Sequence, residues 1–111
     1  MPDKVAKEGK QYHNNYIEVL KEELKEGYEF SPLEVVSIPV EEQTEGFSIK
    51  ILISFGGPEY AWFIKIESQK IQDIKAMYRD WYVSWIPVTR INDKPFMKKM
   101  SKKVLPADLF T

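Results

Sequence analysis

The chain carries a single imidazole, His13, and that limits the chemistry on offer. A Ser-His-Asp triad would have to be built on that one residue, and metal sites that need two histidines are excluded outright. There is no cysteine, so thiol nucleophiles, disulfides, thiolate metal sites and iron–sulfur ligation are excluded too. His13 stands in a polar N-terminal stretch and is expected to face solvent.

The carboxylates offer two constellations. Glu41, Glu42 and Glu45 cluster in a short polar segment and have the oxygen donors a hard cation needs, but EF-hand spacing is absent and a solvated turn is the expectation. Asp73 and Asp80 lie seven residues apart, and Asp80 adjoins Trp81. An aromatic neighbour can raise a carboxyl pKa and suit it to acid work, yet a helical projection puts both aspartates on a polar face. Gly56-Gly57 lacks the Lys-Ser/Thr and the strand-to-helix context of a phosphate loop, and serves better as a turn. These residues point to no catalytic group, no metal and no cofactor.

The elements that carry them can be read from periodicity. Phe47, Ile49, Ile51, Ile53 and Phe55 alternate with Ser48, Lys50, Leu52 and Ser54. After the Gly56-Gly57-Pro58-Glu59 break, Tyr60, Trp62, Ile64 and Ile66 alternate with Ala61, Phe63, Lys65 and Glu67. Period two on both sides of a Gly-Pro turn predicts a β-hairpin with one buried face. Setting Phe55 against Tyr60 also sets Ile53 against Trp62, Ile51 against Ile64 and Ile49 against Ile66, so one face is wholly apolar. On the other face Leu52 meets Phe63, and Lys50 meets Lys65, a repulsive pair that calls for a nearby carboxylate such as Glu34.

Asn15 with Glu18 three residues on resembles a capping box and predicts a helix from Tyr16 to Glu26, stopped by Gly27. Residues 1–12 read as a flexible entry. Leu33 to Val40 predicts a first strand, placed at an edge because Pro39 removes a backbone donor. Ser68 is taken as the cap of a long aromatic helix from Gln69 to Ile86, with Ile71, Ile74, Met77, Tyr78, Trp81, Tyr82, Trp85 and Ile86 on one face. Residues 88–111 read as an irregular basic segment in which Pro95 can start a short helix. The predicted fold class is α+β. One domain over 1–111 holds a three-stranded antiparallel sheet, an N-terminal helix and a long helix after the hairpin, in the order α-β-β-β-α.

Composition bounds the partners. With 43% hydrophobic and 30% charged residues the chain is expected to be a soluble globular protein. The N-terminus has no apolar signal-peptide core and no apolar run is long enough to span a bilayer, so a cytoplasmic location without membrane contact is expected. Charge is uneven along the chain. Residues 11–67 hold eleven acids against four lysines, a balance of −7, and residues 68–111 hold nine bases against four acids, a balance of +5.

Two surfaces follow as protein-binding candidates. One is the sheet face around Leu52 and Phe63, and the other is the acidic group Glu18, Glu22, Glu26, Glu41, Glu42 and Glu45, suited to a basic partner such as a nucleic-acid-binding protein. The expected function is a small non-enzymatic protein-binding module, an inhibitor or regulator of a larger machine of phage or mobile-element type, with self-association as a further option. A first alternative is nucleic-acid binding through Lys98, Lys99, Lys102 and Lys103. A second is a small-ligand site or enzyme pocket near Trp62, Trp81 and Trp85.

Overall fold

A computed structural model describes residues 2–80 and 84–110. Helix α1 (Pro2–Lys25) is followed by strands β1 (Glu34–Ser37), β2 (Phe47–Ser54), β3 (Glu59–Glu67), β4 (Lys70–Arg79) and β5 (Ile86–Pro87), then helix α2 (Lys94–Val104). Short 3₁₀ turns lie at Val40–Glu42, Ile91–Asp93 and Ala107–Phe110. The fold is α+β. Among the described residues the antiparallel sheet has five strands in the order β1-β2-β3-β4-β5, each paired with its neighbour in the chain.

The principal correction concerns Lys70–Arg79, which is a strand and not the first half of a long helix. Its buried residues Ile74, Ala76 and Tyr78 alternate with half-buried Lys75, Met77 and Arg79, as a strand requires. Gln72 is an extra residue opposite the Lys65–Ile66 step of β3, because Lys65 pairs with Asp73 while Ile66 pairs with Ile71. That β-bulge leaves Ile71 and Ile74 three apart on one face, which imitates helical spacing. Met77 and Tyr78, expected on one apolar helix face, here point to opposite faces of the sheet. The two-residue turn Ser68-Gln69 has positive φ at both positions, 52° and 64°, the backbone of a type I′ hairpin turn without its usual glycine. The residues at 81–83, including Trp81 and Tyr82 of the expected helix, lie outside the described residues.

The hairpin forms at the expected turn but in another register. Ile49 pairs with Ile64, Ile51 with Trp62, Lys50 with Phe63 and Leu52 with Ala61. This is a slip of two residues from the predicted pairing, and an even slip keeps every side chain on its own face. Extra residues at Ser48 and Ile53 absorb the offset as bulges. The bulge at Ser48 turns Phe47 away from the isoleucine face and sets it opposite Lys65. The expected Lys50–Lys65 repulsion therefore does not arise. Lys50 lies between Val36 and Phe63, and Lys65 between Phe47 and Asp73.

The N-terminal stretch is also corrected, since α1 begins at Pro2 and includes the residues expected to form a flexible entry. Val5 and Gly9 are buried, and a methyl group at Gly9 would stand 2.8 Å from the Tyr78 ring and from Val88. Glycine thus lets the helix approach β4 and β5 at backbone distance. The far end follows expectation. Gly27 has φ 97°, its N–H meets the Leu24 carbonyl, and the Tyr28 N–H meets that of Glu23, a Schellman closure.

Helix α2 is short, at 11 residues, with Pro95 in its first turn and Met97, Met100 and Ser101 buried. Helix α2 and the 3₁₀ turns on either side of it give order to the segment 88–111 expected to be irregular. Both helices lie on one face of the sheet. Between them and the sheet a core forms from Ile17, Leu20, Phe30, Ile51, Tyr60, Trp62, Ile64, Ile74, Met97 and Met100. No helix among the described residues is long and apolar enough to cross a membrane.

Candidate functional site

Two polar arrangements stand out, one on each face of the sheet. The first is sealed under the helices. His13, fully buried on α1, meets the Tyr60 hydroxyl through Nδ1 at 2.5 Å and Asp93 Oδ2 through Nε2 at 3.0 Å. Trp62 Nε1 donates to the same hydroxyl at 2.9 Å, and Arg90 Nε donates to Asp93 Oδ2 at 2.7 Å. One protonation pattern satisfies the whole line. Tyr60 accepts from Trp62 and donates to a neutral His13, whose Nε2–H donates to the carboxylate.

Burial pulls the His13 pKa below its ordinary 6.5, against the opposing pull of Asp93. Burial alone would raise the Asp93 carboxyl, but hydrogen bonds from Arg90 and His13 outweigh it and hold the group below the usual carboxylate range. Burial pushes the Tyr60 phenol upward, so it stays protonated. The expectation that His13 faces solvent is overturned: its partners lie 47 and 80 residues away, out of reach of any local pattern. A Tyr-His-Asp line has the parts of an acid–base relay. Here neither the Tyr60 oxygen nor the imidazole is open to solvent, and every donor has its acceptor. The arrangement ties α1 to the sheet and to the turn before α2.

The second arrangement is open. On the helix-free face, cross-strand neighbours form rows: Glu34–Leu52–Ala61–Met77–Pro87, and Val36–Lys50–Phe63–Lys75. Above the second row is a groove of about 630 Å³. Its floor is Phe63, Met77 and Lys50, one wall is Trp85 and Pro87, and the other is Val36, Ile38 and Pro39. Phe63 meets Trp85 edge-on at 5.3 Å between ring centroids. The Arg79 guanidinium lies 4.6 Å from the Trp85 centroid and Lys50 Nζ 6.0 Å from it. Lys75 Nζ lies over Phe47 at 5.0 Å.

The tight turn Glu45-Gly46, with φ 56° and 87°, delivers the Glu45 carboxylate to Lys75 at 2.9 Å. Arg79 pairs with Glu59 at 2.9 Å, and Lys65 with Glu67 at 3.5 Å. Lys50 has no carboxylate partner among the described residues.

Phe63 is on the groove floor, and Leu52 lies half-buried in the adjoining row. The acidic group is divided by the sheet: Glu18, Glu22 and Glu26 are exposed on and just beyond α1, while Glu42 and Glu45 line the groove on the opposite face and Glu41 is exposed beside them. Glu41, Glu42 and Glu45 do not converge on a point, and no metal-binding cluster of three side chains occurs among the described residues.

Asp73 and Asp80 are not a pair. Strand geometry separates them by roughly 23 Å, and Asp73 is engaged by Lys94 at 2.7 Å. Of the tryptophans proposed for a pocket, Trp62 is in the core, Trp85 walls the groove and Trp81 lies outside the described residues. Lys99, Lys102 and Lys103 are exposed on α2 and Lys98 is half-buried, on the face away from the groove.

Sequence reasoning missed Phe47, Lys75 and Met77 as groove residues, and grouped Trp85 with Trp62 and Trp81 rather than with Phe63. A strand reading of 70–79 would have placed Lys75 and Met77 beside Phe63. Comparison with known protein families, with curated proteins and with solved structures finds no match.

Proposed function

We propose that this chain is a non-enzymatic protein-binding module whose contact surface is the groove on the helix-free face. The observation that carries the reading is the pairing of Phe63 and Trp85 over a 630 Å³ concavity that the described residues leave open. Aromatic side chains with partial exposure, rimmed by polar groups, are what contact surfaces concentrate.

The volume alone would also suit a small molecule. The apolar surface does not stop at the groove, however. Val40, in the 3₁₀ turn that follows the Pro39 wall, is 81% exposed, and Leu33 next to the edge strand β1 is 65% exposed. A contact that runs from a pocket across exposed apolar rims suits a polypeptide better than a compact ligand. Strand β1 also offers a free edge, of the kind an extended segment can extend.

Photo-crosslinking tests this in the native cell. A photoreactive residue at Val40 or at Ser84, beside Trp85, should trap one and the same protein. The same residue at Glu22 on α1 should not. Trapping from position 22 with none from 40 or 84 would move the contact surface to the acidic helix and end this reading.

A further inference from the structure

We infer that Lys50 is an anion-recognition residue and that the segment taken by the groove carries a carboxylate flanked by aromatic or branched apolar side chains. This rests on the reading that the groove is the contact surface, and it specifies what that surface selects.

Lys75 and Glu45, which both line the groove, neutralise each other at 2.9 Å. Arg79, stacked on Trp85, is neutralised by Glu59 at 2.9 Å. Lys50 sits on the second strand of the sheet, half-buried, with Val36 and Phe63 as cross-strand neighbours and the Trp85 ring 6.0 Å from its ammonium. No carboxylate among the described residues pairs with it. An aromatic face compensates an ammonium only in part, so a half-buried cation on an apolar floor gains most from an incoming anion. The groups around it are aromatic and aliphatic, so the residues on either side of that anion must be apolar to fill the remaining space.

The same inventory argues against nucleic acid. A strand-tracking groove needs a line of free cations along the phosphates. Among the described residues this groove has one lysine without a carboxylate partner, and two glutamates, Glu42 and Glu45, stand on its lining.

The test is selection of a random peptide display library on the full chain, in parallel on Lys50→Gln, Lys50→Glu and Trp85→Ala, with enriched peptides remade for calorimetric titration. The inference expects wild-type protein to enrich Asp or Glu next to Phe, Trp, Leu, Ile or Val. It expects Lys50→Gln to weaken those peptides about tenfold or more, as loss of one charge-assisted contact should. It expects Lys50→Glu to enrich Lys or Arg at the same place, which also shows that the variant is folded.

Peptides lost on Trp85→Ala but lacking an acid, or indifferent to Lys50→Gln, overturn the role of Lys50 and leave the groove as the contact surface. Peptides indifferent to Trp85→Ala, or no enrichment at all, overturn both. A twelve-residue oligo(dT) that binds more tightly than any peptide and is lost on Lys50→Glu assigns the anion to nucleic acid and overturns the inference.

Discussion

The two faces of the sheet treat polar groups in opposite ways. Beneath the helices, Trp62, Tyr60, His13, Asp93 and Arg90 form a line in which each donor meets an acceptor, and it fastens α1 to β3 and to the turn before α2. On the open face, Lys50 sits among rings and aliphatic groups with no ion partner among the described residues. A buried polar group that is fully matched contributes order to the fold. A half-buried charge left unmatched is a place where something else can contribute. The constellation that most resembles catalytic machinery is therefore the architectural one, and the unremarkable lysine is the better candidate for function.

The contrast can be broken most sharply at the tryptophans. Trp62→Ala, on the covered face, should cost about 3–5 kcal/mol of unfolding free energy, as large core truncations do. Trp85→Ala, on the open face, should cost about 1 kcal/mol, the scale of one edge-on ring contact and one exposed cation–π contact. Urea unfolding of both variants checks this, and equal losses would mean that the open face is as much a core as the other.

Acid provides the next test. Burial holds the His13 pKa below 6.5, so below that pH the unfolded chain binds a proton that the folded chain refuses. Stability is then fully present above about pH 6.5 and falls as the pH drops toward the folded pKa, by at most about 1.4 kcal/mol per pH unit for one proton. Asp93 and Asp73, held low by their partners, contribute stability above pH 3.8 and lose it only below that value. Unfolding midpoints taken from pH 7.5 to 4.5 should decline in the wild type. The decline should vanish in His13→Gln, whatever that variant's overall stability. A flat wild-type profile would contradict a buried neutral imidazole.

The smallest effect belongs to the open face. Lys50→Leu should raise stability by about 0.5–1 kcal/mol, since it replaces a half-buried lysine on an apolar floor with an apolar side chain. A loss of stability instead would show that Lys50 is held by partners within the fold.

Local chemistry was legible in the sequence where it acts over a few residues. The Gly56-Gly57-Pro58 turn, the Gly27 helix stop, the edge position of β1 and the Pro95 helix start all rest on short-range stereochemistry, and all are present. Alternation in β2 and β3 revealed the hairpin, but a period of two fixes register only to within an even slip, so the true pairing was open to error. Strand β4 reads as helix because one bulge at Gln72 counterfeits a three-residue spacing and because Ser68-Gln69 makes a hairpin turn without glycine. The candidate groove was half visible. Phe63 could be read from alternation, but Trp85 and Met77 join it only once β4 is a strand. The burial of His13 was not legible at all, because it is decided by Tyr60 and Asp93.

Every strand in the sheet pairs with its neighbour in the chain, so each hairpin can close over a short loop before the next one begins. The His13–Asp93 bond has no such shortcut: it spans 80 residues and links the first helix to the entry of the last. Closing so long a span is favourable mainly when the intervening strands have already drawn its ends together. That bond is the clasp of the fold, and slow exchange of the His13 Nε2–H held in it would report when a newly made chain has finished its assembly.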